Sequence, residues 1–367
     1  MKILKTLNHS SFYWMFFLIL FLYGFSTRFP KLLLVIPVGL FFLYLCLNIK
    51  DLKTKIDNSF LAYITLISVF GILLFIGGIF NLDFEQRVSD ASYIFLALFP
   101  LFFIFYFEMN KSSQYRIFQN LFLSYFILSI LLFILLRTGF IHWNRYQHVG
   151  NCLAATSILA FGIKNIKFKW IIFFILLICV LLTGSRQSLA GILFVGIIYV
   201  ILNRFKLFIA LLGFVLVLII NKEYFIEILS DIARKYDMFT ISRLLVVFKQ
   251  DGGGISIITR LEIYDRLISE LTVLPNLFFS PYKKEYFPHN YFLEYSLTSG
   301  ILIGFIFTLF IFNNLYKGMV KNRNNILLYL PLFYLLPFNV SSGIAASKYF
   351  LFFIILIMRI NKNDLIK

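Results

Sequence analysis

Trp170 through Asn203 read WIIFFILLICVLLTGSRQSLAGILFVGIIYVILN, two apolar runs joined by Thr183-Gly184-Ser185-Arg186-Gln187-Ser188. Arg186 is the only charged residue in the stretch. The runs are continuously apolar and do not alternate, which excludes the half-polar strands of a membrane β-barrel. In hydrocarbon a segment must satisfy its own backbone polar groups, and an α-helix does so internally. The stretch therefore reads as two membrane helices and a tight turn.

The same texture runs through the whole chain. Of its 367 residues, 60% are hydrophobic and 14% charged, where soluble domains carry roughly 25% charged residues. Allowing roughly 20 apolar residues per crossing, breaks at polar clusters give about 12 spans: 12–26, 32–48, 59–80, 91–107, 117–136, 150–163, 170–183, 188–203, 207–220, 289–314, 326–338 and 349–360. The expected fold class is an all-α polytopic membrane protein. Pro100, Pro331 and Pro337 fall inside spans and require neighbouring helices to cover the carbonyls they free. No cleavable leader is evident, so the first helix reads as an anchor. Cys46, Cys152 and Cys179 all lie in apolar runs, which argues against a disulfide-stapled exterior.

Lys and Arg select the orientation. Lys50, Lys53 and Lys55, then Lys164, Lys167 and Lys169, then Lys317, Lys321 and Arg323 fall in one set of connections, with both termini. The opposite connections hold fewer, among them Arg87, Arg145 and Arg186. Both termini are thus expected to be cytoplasmic, with one long polar loop outside. This divides the chain into a membrane domain at 1–220, an extracytoplasmic loop at 221–287 and a second membrane domain at 288–367. The loop's acidic and basic residues balance, so the net charge of +17 belongs to the cytoplasmic face and its anionic lipid. A nucleic-acid partner is not needed to explain it.

Within the loop, Glu223 to Gln250 mixes apolar and charged residues at helical spacing, as in a helix lying on a membrane surface. Thr259-Arg260-Leu261-Glu262 has the form of a capping box opening a second helix, to about Val273. That places Arg260 in a first turn, where the helix dipole disfavours a cation, and puts Tyr264 on the same face. The loop ends in Pro288-His289-Asn290-Tyr291, where the chain re-enters an apolar run. The start of a long helix favours neutral imidazole, the form that accepts a proton.

Each residue also has a plainer reading. Arg186 on the outer side is either a phosphate-gripping fork or an interfacial anchor. Arg260 is either an anion ligand or a solvated loop cation, and His289 either a base or a structural interfacial histidine. His142 and His148 sit with Arg145 in a short outer loop. No HExxH, His/Cys cluster, Walker loop or GxGxxG is present, so no metal, nucleotide or other cofactor is expected.

Taken in order, Leu182 to Ala190, Arg260-Leu261-Glu262-Ile263-Tyr264 and Pro288-His289-Asn290-Tyr291-Phe292-Leu293-Glu294 resemble the motifs of the O-antigen ligase and O-antigen polymerase superfamily. The resemblance covers about residues 145–305. It departs where Phe278-Phe279-Ser280-Pro281 replaces a glycine-rich stretch, and at Thr298-Ser299-Gly300, where an acidic residue often precedes the glycine. It implies a multi-pass bacterial inner-membrane glycosyltransferase with its site facing the periplasm. Arg186 and Arg260 would then hold the diphosphate of a polyprenyl-diphosphate-linked glycan donor. His289 would activate a glycan or lipid-linked acceptor, supported by Ser185, Tyr264, Asn290 and Glu294. The expected reaction is repeat-unit polymerisation, with membrane lipids and a chain-length regulator as further partners. A ligase moving glycan to lipid A-core is the near alternative, and a lipid-linked glycan flippase the remote one.

Overall fold

The computed structural model describes residues 35–48, 56–80, 84–111, 114–140, 146–162, 169–236, 238, 240–242, 245–246, 255–277, 290–338 and 344–362. Among them there is no strand. In chain order the α-helices are α1 (Val35–Asn48), α2 (Asn58–Ile79), α3 (Phe84–Tyr93), α4 (Phe99–Lys111), α5 (Gln114–Arg137), α6 (Tyr146–Ala160), α7 (Lys169–Thr183), α8 (Arg186–Asn203), α9 (Phe205–Ile220), α10 (Lys222–Lys235), α11 (Ile255–Ser269), α12 (Tyr291–Ser299), α13 (Ile301–Asn322), α14 (Tyr329–Phe338) and α15 (Ile344–Lys362). Five helical stretches among the described residues are long and apolar enough to cross a membrane: Asn58–Ile79, Arg87–Met109, Tyr115–Arg137, Arg186–Asn203 and Ile301–Asn322. The expected span 12–26 lies outside the described residues.

The outward faces of these helices are apolar. On α13, Leu302, Phe305, Leu309, Phe312, Tyr316 and Val320 are exposed, while Gly304, Phe307, Ile311, Asn314 and Leu315 are buried. Water would penalise an apolar stripe of this length, whereas lipid would not. The all-helical protein therefore has the surface of a membrane protein.

The chain forms two compact units, Met1–Asn120 with Arg260–Lys321 and Phe338–Lys367, and Leu121–Thr259 with Asn322–Pro337. In the first, α3 and α4 join through a π-helical turn, Ile94–Leu98. Pro100 explains it: its ring has no N–H to give and would clash with the carbonyl four residues back. The Phe99 amide instead reaches the Ile94 carbonyl, five residues back, and the helix continues. At the opposite end of α2, Asp57 caps the helix by accepting from the Phe60 amide at 2.7 Å and also receives the Tyr106 hydroxyl at 3.0 Å. Tyr44 donates to the buried Glu108 carboxylate at 2.7 Å.

The expected span 289–314 is corrected: it is two helices meeting at Gly300. That residue has φ 83 and ψ 157, a region open essentially to glycine alone. A Cβ there would lie 2.6 Å from the Val273 carbonyl oxygen. Ser296 packs onto Gly304, the Tyr295 ring stacks on Phe307 at 4.2 Å, and Phe292 stacks on Phe312 at 5.7 Å. As the residue number rises along α12 it falls along α13, so α12 folds back on α13. The Tyr295 ring also stacks on Phe70 of α2 at 4.7 Å, and its hydroxyl donates to the Leu66 carbonyl at 2.6 Å. A nine-residue helix is about 13 Å long, so α12 enters the unit without crossing a membrane.

The second unit is built on small and hydroxylated residues. In α6, Ala154, Ala155, Ser157 and Ala160 are fully buried, as suits close helix approach in lipid. Thr156 donates to the Cys152 carbonyl at 2.7 Å and pairs with Ser129 at 3.2 Å. The hydroxyls of Tyr125 and Tyr334 meet at 3.1 Å. The expected surface helix over Glu223 to Gln250 is corrected: α10 ends at Lys235 with Tyr236 as its C-cap, and beyond it the Thr240 hydroxyl donates to the Val180 carbonyl at 3.0 Å.

Because both backbone conformation and space forbid a side chain at Gly300, Gly300→Ala is expected to destabilise the protein by about 1–3 kcal/mol. Thermal unfolding of the detergent-purified protein measures this directly, and an unchanged midpoint would contradict the corner described above.

Candidate functional site

The turn that opens α8 is a built structure. Ser185 is the N-cap, and its hydroxyl accepts from the Ser188 amide at 3.4 Å and pairs with the Ser188 hydroxyl. Ser188 in turn donates to the Asn151 side-chain carbonyl of α6 at 2.7 Å. Thr183, Ser185 and Ser188 are fully buried. Arg186 is the first residue of the helix and is half-buried. A guanidinium at the positive end of a helix dipole sits against the local field. An anion at the same point is favoured by both the dipole and the charge.

Sequence reading missed what α6 brings to this turn. Gly150 presses on it so closely that a Cβ would lie 2.5 Å from the Ser185 Cβ and 2.7 Å from the Ser188 hydroxyl. The expected outer loop holding His148 is corrected accordingly. His148 lies in the first turn of α6, three residues before Asn151 and therefore on the same side of that helix. Gly150-Asn151 opens an apolar run, so hydropathy alone carried no sign that its polar residue would be used.

Two expectations about α11 are corrected. The helix begins at Ile255 and ends at Ser269, so Thr259 and Glu262 lie within it and do not form a capping box. Arg260 is the sixth residue of the helix, beyond the reach of the unfavourable end of its dipole. The apolar Ile255-Ser256-Ile257-Ile258 already belongs to the helix, and the Thr-x-x-Glu pattern recurs inside it. Tyr264 follows Arg260 by four residues and is half-buried. Beyond α11, the Thr272 carbonyl accepts from the Ile301 amide at 2.8 Å, tying the end of this segment to the corner between α12 and α13.

His289 lies outside the described residues. Its neighbour Asn290 is the N-cap of α12, accepting from the Leu293 amide at 3.1 Å. The expectation of a long helix starting at this point gives way to the nine residues of α12. Glu294, in the first turn of α12, is fully buried. Tyr264, Asn290 and Glu294 thus belong to the first unit, and Ser185 and Arg186 to the second.

Arg87, counted from sequence as an outer-loop cation, is corrected as well. It lies within α3 and is fully buried, with its guanidinium packed against Gly77 of α2. Its charge therefore says nothing about which side of the membrane a loop occupies. Among the described residues no three His, Cys, Asp or Glu side chains come together in a way that could hold a metal ion.

Comparison with protein-family models, curated proteins and solved structures finds no match.

Gly150→Ala is expected to force Ser185 and Ser188 apart, at a cost of about 1–3 kcal/mol from overpacking. Its thermal midpoint should fall well below that of Ala154→Gly, a change of the same size on the same helix. Equal midpoints would mean that the Ser185 turn does not rest on Gly150.

Proposed function

We propose that the chain is a bacterial inner-membrane glycosyltransferase, working on its outer face as a polysaccharide repeat-unit polymerase. In this reading about 12 helices cross the membrane with both termini cytoplasmic. The donor is a glycan carried on polyprenyl diphosphate, and the acceptor a second lipid-linked glycan. The observation that carries the reading is the Ser185-Arg186 turn: a buried, hydrogen-bonded corner that sets an arginine at a helix N-terminus, as a phosphate-bearing ligand requires. The order of the three motifs along the chain supports it further.

The chemistry matches the residues named. The sugar–diphosphate bond already carries the activation, so no nucleotide is consumed. Arg186 and Arg260 stabilise the negative charge that grows on the diphosphate as that bond breaks. His289 takes the proton from the attacking acceptor hydroxyl. The acceptor oxygen forms the new bond to the anomeric carbon, the diphosphate leaves with the old bond's electrons, and attack from the opposite face inverts the centre. Ser185, Tyr264, Asn290 and Glu294 support this machinery, and no metal or cofactor takes part.

His289→Ala and Arg260→Ala should each abolish polymer while leaving the protein in the membrane at its normal level. Arg186→Lys should also be poor, because an ammonium cannot reproduce a two-pronged grip. Lipopolysaccharide gels of the complemented deletion strain read all three, and wild-type glycan lengths in the first two would end the proposal. The deletion itself separates polymerase from ligase. Core bearing a single repeat marks a polymerase; bare core with accumulated lipid-linked polymer marks a ligase.

A further inference from the structure

Three polar side chains on one face of α12 have no hydrogen-bond partner among the described residues: both carboxylate oxygens of Glu294, the Tyr291 hydroxyl and the Thr298 hydroxyl. Glu294 is 0% exposed, Tyr291 1% and Thr298 2%. The spacings of three and four residues put Tyr291 one turn before Glu294 and Thr298 one turn after it. Buried polar groups are nearly always satisfied, and an ionisable residue buried in a membrane protein ordinarily marks a site.

The groups around Glu294 make the need more specific. The Tyr295 hydroxyl is committed to the Leu66 carbonyl and the Tyr63 hydroxyl to the Leu351 carbonyl. On α3, Arg87 gives Glu294 no hydrogen bond, and Asp90 is near enough for its charge to repel that of Glu294. Arg87 and Asp90, one turn apart on α3, carry opposite charges, so an ionised Glu294 leaves one net negative charge, and the unsatisfied atoms on α12 are oxygens. The helix that carries them is also of the kind that holds ions in membrane proteins: a short helix that enters the unit and turns back, broken from its successor at Gly300.

We propose that Glu294 anchors a binding site for a monovalent alkali cation, of which Na+ is the type, with a hydroxyl of Tyr291 or Thr298 as a second ligand. Hard oxygen donors suit such an ion. A divalent ion would call for more charge than the site offers, since no three acidic, His or Cys side chains gather among the described residues. A neutral sugar would leave the charge of an ionised Glu294 unbalanced. A proton on one Glu294 oxygen is the competing occupant, and titrating stability against Na+ and against pH separates the two. Tyr291 and Thr298 are about 10 Å apart along the helix axis, so an ion seated on Glu294 lies toward one of them. Glu294 is also one of the residues proposed to support glycosyl transfer, but ion binding and stability are read without that reaction, so the two proposals stand or fall separately.

The test uses the full chain in nanodiscs at constant ionic strength, with NaCl exchanged for choline chloride. Saturable binding of radioactive Na+ is expected, together with a thermal midpoint that rises with Na+ as ligand linkage requires. Glu294→Gln should weaken the apparent affinity at least about tenfold, which is roughly 1.4 kcal/mol. Tyr291→Phe or Thr298→Val, whichever removes the second ligand, should weaken it by less. If wild type shows no saturable Na+ binding, the proposal falls, even should Glu294→Gln fail to fold. It falls equally if the affinity is unchanged in a folded Glu294→Gln protein, or if stability follows pH and ignores Na+.

Discussion

The first unit depends on the corner at Gly300. A backbone with positive φ, pressed against the Val273 carbonyl and tied to Thr272 through the Ile301 amide, reverses the chain within one residue. The reversal lets Tyr295 sit between Phe70 and Phe307, with ring centroids at 4.7 and 4.2 Å. Aromatic stacking of this kind adds about 0.5–1.5 kcal/mol per pair beyond the area buried. A straight helix from Tyr291 to Asn322 would carry Tyr295 and Phe307 three turns apart, and neither stack could form. The same corner brings Glu294 inside the unit, so packing and the unusual polar face of α12 have one cause.

What sequence can and cannot show follows from this. Apolar runs as long as Asn58–Ile79 or Tyr115–Arg137 leave the backbone no alternative to helix in lipid, and these helices were legible from hydropathy alone. A break inside such a run was not. Gly300 differs from Gly304 in backbone conformation and in what presses on it, and neither property registers in hydropathy. Arg87 misled for a related reason: a cation among Glu85, Gln86 and Asp90 looks like loop, and only the packing of α3 on α2 shows that it is buried. The Thr259-to-Glu262 pattern has the right residues for a cap, but the apolar residues before it extend the helix past it.

The candidate site divides in the same way. The Ser185-Arg186 turn was legible because a charge between two apolar runs is conspicuous and Ser at an N-cap has a local reason. Its support was not legible, since Gly150 and Asn151 lie some 35 residues earlier and act through close approach and one hydrogen bond. Local chemistry is written in neighbouring residues. Tertiary support is written in volumes, and the absence of a Cβ at Gly150 is the sort of signal that only coordinates turn into a contact.

Buried charge gives the two halves of the reading a common logic. In lipid an ionisable side chain needs a partner of opposite charge, a hydrogen-bond network or a ligand. Asp57 has its network in the Tyr106 hydroxyl and Lys362, and Glu108 has Tyr44; both belong to the architecture. Glu294 has neither, and Asp90 makes its position worse. Arg186 stands at a helix end whose dipole opposes it. At Glu294 the fold holds a carboxylate with no hydrogen bond of its own. A cation on Glu294 would turn an unfavourable position into a favourable one, and an anion beside Arg186 would be favoured by both the guanidinium and the helix dipole.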